Sequence, residues 1–190
     1  MAKSSGLLAR FPQYFEDILG IPFPKDADLR QAKVPALIFV SYLVTGYIGL
    51  HLQSINTFAT LIWPPSGIAF AAYLMYGSRV WSSVFLAAFF INISIGAPLL
   101  VALGIAFGNT LGPLIGTIVA KWYSNYNFEI LRLRDNIGII ASAFLFPVLT
   151  ASIGVGSLWW GNIVSAEAFT STWITWWTGD VLGALVCAPF

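Results

Sequence analysis

The chain has 190 residues, 58% of them hydrophobic and only 9% charged, with a mean hydropathy of +0.81 and a formal net charge of +1. A soluble domain carries about 25% charged residues, so this composition excludes a water-solvated surface, and the near-neutral charge gives no reason to expect nucleic acid as a partner. One histidine (His51) and one cysteine (Cys187) exclude a Cys/His metal cluster and an internal disulfide.

In chain order, residues 1–33 come first as a separate leader. Leu7, Leu8, Phe11, Tyr14, Phe15, Ile18 and Leu19 recur at helical spacing, with Arg10, Glu16 and Asp17 between them. This pattern predicts an amphipathic helix lying on the cytoplasmic membrane face, and a disordered leader is the competing reading. Pro12 falls in its first turn or kinks it, and Ile21-Pro22-Phe23-Pro24 ends it. Residues 34–190 form the transmembrane domain. Their apolar runs are too long for membrane strands, so they read as helices. Six spans are predicted, at 34–52, 61–77, 80–95, 99–120, 136–158 and 171–190. The second and third are short and meet at Gly77-Ser78-Arg79, which reads as a shallow helical pair or a re-entrant one. The expected class is an all-α integral membrane protein with an interfacial N-terminal helix.

The charges give this arrangement a direction. Lys3, Arg10, Lys25, Arg30 and Lys33 precede span one, Arg79 lies between spans two and three, and Lys121, Arg132 and Arg134 lie between spans four and five. With six spans, all nine basic residues fall on one side. The positive-inside rule then puts both termini in the cytoplasm. Trp122, Tyr123, Tyr126, Trp159 and Trp160 sit at span ends, as interfacial anchors do.

Asp180 is the residue that most needs a reason. A carboxylate in the middle of a span costs about 2.5–3.5 kcal/mol on insertion scales and marks a candidate site. It lies roughly 13–14 Å into span six, and Asn109 lies roughly 15 Å into span four, at 1.5 Å per residue. The two are therefore expected at similar depth, either tying helices together or sharing a polar site. Above them, Trp63-Pro64-Pro65-Ser66 is expected to start a helix at the outer surface, with Ser66 as its cap and free amides facing a polar or anionic group. Asn92, Trp176 and Trp177, with Trp173 beside them, complete a candidate pocket opening outwards. Arg134-Asp135 reads as a cytoplasmic boundary pair that could couple to an output. His51 reads as an interfacial polar residue and Cys187 as core. The spans hold no paired carboxylates, no Ser/His/Asp set and no phosphate loop with its lysine, so no enzyme is expected. The lack of an inverted repeat disfavours a transporter.

Four segments carry a resemblance. Trp63-Pro64-Pro65-Ser66-Gly67-Ile68-Ala69, the run Leu103 to Thr110, Leu133-Arg134-Asp135 and the run Trp173 to Gly183 resemble, in order and spacing, the bacterial membrane-associated sensor domains of the first class, the MASE family. The likeness spans about residues 35–190. It implies a sensory input module of the bacterial inner membrane, joined at its C-terminus to a cytoplasmic histidine kinase, diguanylate cyclase or cyclic-di-GMP phosphodiesterase. The 190 residues contain no such effector, so the sequence reads either as a fragment or as a stand-alone form acting through a partner. The alternative function is a non-catalytic accessory subunit of a larger membrane complex, holding lipid, quinone or pigment against its aromatic faces. No cofactor is indicated.

Overall fold

The computed structural model describes residues 29–51, 54–56, 59–123 and 133–187. The leader helix expected before Leu29, and Tyr126 and Arg132, lie outside the described residues. Within them the chain runs α1 (Leu29–His51), a hairpin of β1 (Ser54–Asn56) and β2 (Ala59–Thr60), α2 (Pro64–Tyr76), a 3-10 turn (Gly77–Val80), α3 (Trp81–Ser94), α4 (Leu99–Tyr123), α5 (Leu133–Trp160) and α6 (Ala166–Cys187). In the antiparallel hairpin Ser54 faces Thr60 and Asn56 faces Ala59, with an irregularity between the two pairs. The chain is a multi-pass, all-helical membrane protein apart from this hairpin. Among the described residues, four stretches are long and apolar enough to cross a bilayer: Lys33–His51, Pro64–Ser94 taken as one, Leu99–Tyr123 and Leu133–Trp160. Helix α6 is not among them. Its 22 residues suffice in length, but Thr170, Ser171, Thr172, Thr175, Thr178 and Asp180 lower its hydropathy.

Helices α4 and α5 share the largest interface in the fold. The sequence explains its closeness. Gly104, Gly108, Gly112 and Gly116 recur every fourth residue, so they line one face of α4. They meet Ser157, Ile153, Thr150 and Phe146 of α5 in turn, and a Cβ at any of these glycines would press on its neighbour. Small residues that let backbones approach are the usual basis of helix association in membranes, where apolar side chains gain little by leaving lipid. Helices α1, α2 and α3 form a second packed group around Tyr42, Tyr73, Val84, Ala87 and Ile91.

The second predicted span is corrected. Residues 61–63 are not helical, and α2 starts only at Pro64, with Pro64 and Pro65 at its first two positions. The start is deep in the bundle: Trp63 N donates to Gly179 O at 2.9 Å. Gly179 is thirteen residues into α6, or about 20 Å along it. The extended segment therefore runs down beside α6 before the helix begins. Two glycines of α6 make room for it, since a Cβ at Gly179 would strike Thr60 O and one at Gly183 would strike Trp63 O. Non-helical backbone at such depth is tolerated where protein covers it and its polar groups are bonded. Hydropathy could not locate this start, because Leu61, Ile62 and Trp63 are as apolar as a helix needs. The prolines marked the boundary; the depth came from the glycine notch on another helix.

Candidate functional site

Asp180 is wholly buried. Its Oδ2 accepts a hydrogen bond from Thr150 Oγ1 of α5. That hydroxyl also lies 3.0 Å from Pro147 O, so its single proton has two acceptors in reach. Pro147 has no amide to give the carbonyl one turn back, and Thr150 lies in the turn that follows it. Asp180 Oδ1 has no hydrogen-bond partner. Ser66 and Trp176 lie beside the carboxyl, yet not in bonding geometry to that oxygen. The Ser66 hydroxyl instead reaches the backbone, 2.8 Å from Trp63 O and 3.0 Å from Asp180 O.

Three further side chains gather at this level. Tyr42 of α1 is wholly buried and has Asp180, Trp63, Tyr73 and Asn109 around it. Tyr42 lies nine residues from the end of α1, Asn109 ten from the start of α4, and Thr150 ten from the end of α5. All three are thus about 14–15 Å from the same end of the bundle. The Tyr42 and Tyr73 hydroxyls and Asn109 Oδ1 are also buried without partners. Unpartnered buried polar atoms number only a few per hundred residues in native proteins, and here Tyr42, Tyr73, Asn109 and Asp180 each contribute one to a single neighbourhood. The expected direct bond from Asn109 Nδ2 to Asp180 is not formed: Oδ1 of the carboxyl has no partner, and Oδ2 accepts from Thr150.

A pocket opens beside this cluster. It encloses about 350 Å³ including its open mouth. Leu50 from the end of α1, Thr60 and Trp63 from the extended segment, Ile91, Asn92 and Ile95 from the end of α3, Ile105 and Asn109 from α4, and Trp176 from α6 line it. The ends of α1 and α3 and the first half of α4 thus meet at one end of the bundle. Lys33, Arg79, Lys121 and Arg134 all belong to the opposite helix ends.

Of the residues singled out from sequence, Trp63, Asn92, Asn109 and Trp176 line the pocket, and Asp180 lies just behind it. Asn92 spends its Nδ2 on Ala88 O at 2.9 Å within its own helix. Ser66 is not a cap: Trp63 holds that position, with no side-chain cap bond, and Ser66 is a donor inside the first turn. Free amides for an anion are absent there too. Pro64 and Pro65 have none, and Ser66 N is bonded to Trp63 O at 3.2 Å. Trp177 does not line the pocket. Its Nε1 donates to Phe144 O at 3.1 Å, and its ring stacks on Trp173, whose Nε1 reaches Ser152 Oγ at 3.1 Å. These two tryptophans fasten α6 to α5. Arg134 and Asp135 lie at the far end of the bundle, Arg134 over the Tyr123 ring at 5.4 Å and Asp135 buried in the first turn of α5.

Sequence reading missed Tyr42, Tyr73 and Thr150. A tyrosine in a span reads as packing, and a threonine in a helix ordinarily bonds its own preceding turn. The position of Thr150 three residues after Pro147 was the one available signal.

The family model for MASE1 matches residues 34–190. No curated protein and no solved structure matches the chain. The match covers most of the chain, including every pocket and cluster residue described above. MASE1 is a membrane-associated sensor domain of signalling proteins. The chain belongs to the MASE1 family.

Proposed function

We propose that the chain is a sensory input module of the bacterial inner membrane that couples its pocket to a cytoplasmic effector of the histidine kinase or diguanylate cyclase type. In this reading six helices cross the bilayer, both termini are cytoplasmic, and the leader of residues 1–33 lies on the inner surface. The pocket then faces outwards, because the basic residues cluster at the other end. One observation carries the reading: the pocket wall and the last helix are joined backbone to backbone, through Trp63 N to Gly179 O, one residue from Asp180. A signal that repositions Trp63 pulls on this bond and so loads α6, which leads to the C-terminus. The signal must prefer one of two helix arrangements, since only differential affinity shifts an equilibrium. Arg134 and Asp135, at the inner end of α5, are the proposed relay to the output.

The test is signalling output at matched membrane expression. Asp180→Asn and Asn109→Ala are each expected to change it at least threefold. Wild-type output from both variants would remove the pocket from the mechanism.

A further inference from the structure

The buried cluster behind the pocket has a chemistry of its own, and its reading rests on the sensory role just proposed. Asp180 Oδ1, Asn109 Oδ1 and the Tyr42 hydroxyl are three oxygens from three helices, buried and without hydrogen-bond partners. The Asn109 amide oxygen can only accept, and so can the Asp180 carboxyl when it is ionised. With the carboxyl ionised, two unpartnered acceptors stand among the unpartnered Tyr42 and Tyr73 hydroxyls, and a cation is an occupant that would satisfy both acceptors at once. An anion is disfavoured, because the nearby start of α2 offers no free amide. A divalent ion is disfavoured as well: among the described residues no three His, Cys, Asp or Glu side chains converge, and calcium takes six to eight oxygens, commonly from several carboxylates. One carboxylate with neutral oxygens matches a single positive charge.

We propose that Asp180, Asn109 and Tyr42 bind a monovalent metal cation of the sodium class, which enters through the Trp63–Trp176 pocket with water completing its shell. Binding would neutralise the costliest residue in the last helix and join α1, α4 and α6 through one ion. No covalent or redox step is involved.

The experiment uses the full chain in lipid nanodiscs. Thermal midpoints are followed in sodium, potassium and choline chloride at constant ionic strength and pH. The midpoint is expected to rise saturably with sodium relative to choline, because a ligand of the folded state alone stabilises it. Asp180→Asn is expected to abolish the rise. Tyr42→Phe, which keeps the ring and loses only the oxygen, is expected to raise the half-saturating sodium concentration about tenfold. It keeps the test informative should the Asp180 variant fold poorly. Equal midpoints in sodium and choline would overturn the proposal and leave water as the occupant. So would a sodium effect that survives both substitutions, since that is a general salt effect. Flat salt responses combined with altered output from Asn109→Ala would remove the cation and leave the sensory reading standing. A sodium response that needs Asp180, with output unchanged in both variants, would do the reverse.

Discussion

Helix α4 presents two faces of opposite character. Toward α5 it offers Gly104, Gly108, Gly112 and Gly116, each filled by a side chain of its partner. Toward the pocket it offers Ile105 and Asn109, and there a buried amide oxygen has no partner. The two faces are one residue apart in sequence. The closed face fixes where the helix stands; the open face can then hold polar atoms apart without the bundle collapsing onto them. The same division recurs on α6. Trp173 and Trp177 fasten it to α5, and one turn away Trp176 and Asp180 face the pocket and the cluster. A site made of unsatisfied groups needs a rigid frame, and here the same helices supply both.

The sharpest way to break this contrast is to overfill a closed contact. Gly183→Leu puts a side chain where Trp63 O lies. It is expected to cost about 3 kcal/mol or more by overpacking, seen as a large fall in thermal midpoint or in folded yield. Gly156→Ala is the control, because a Cβ there meets nothing within 4 Å; its midpoint should hold or rise slightly, as alanine is the better helix former. A smaller effect separates two threonines that look alike in sequence. Thr150→Val removes the hydrogen bond that Asp180 Oδ2 accepts and is expected to cost about 1–3 kcal/mol. Thr117→Val removes only a bond to Pro113 O within its own helix, and a midpoint change well below that of Thr150→Val is expected. Smallest is Trp177→Phe, which loses the bond to Phe144 O, about 1 kcal/mol. It should lower the midpoint and leave signalling output unchanged, whereas Trp176→Phe, on the pocket wall, should change output.

Much of the frame was legible in the sequence, because apolar runs of sufficient length and their charged flanks reflect the membrane directly. Asp180 was legible for the same reason, as a carboxylate where carboxylates are expensive. What sequence could not give is anything set by a second segment. The true start of α2 depends on glycines more than a hundred residues later, and Leu61 and Ile62 carry no mark of it. Ser66 has the right type for a cap, and only the position of Trp63 shows that it donates inwards instead. Tyr42 and Thr150 join the cluster because four helices place them at one level, and neither differs in kind from the other tyrosines and threonines of the spans. Tryptophan identity was ambiguous in the same way: Trp176 and Trp177 are adjacent and both pack on α5, yet Trp176, seated over Gly154, lines the pocket and Trp177 does not.

The central claim is that the pocket and the last helix move as one unit. Cys187 is a native reporter of it, half-buried at the C-terminal end of α6, next to the position a Cβ on Gly67 would occupy. The direct measurement is its alkylation rate in membranes, compared between the wild-type chain, Asn109→Ala in the pocket and Leu145→Ala on an exposed apolar face of α5. The coupled account expects Asn109→Ala to change the Cys187 rate at least threefold and Leu145→Ala to leave it unaltered. Equal rates in all three would contradict it, for the pocket could then be remodelled without α6 responding.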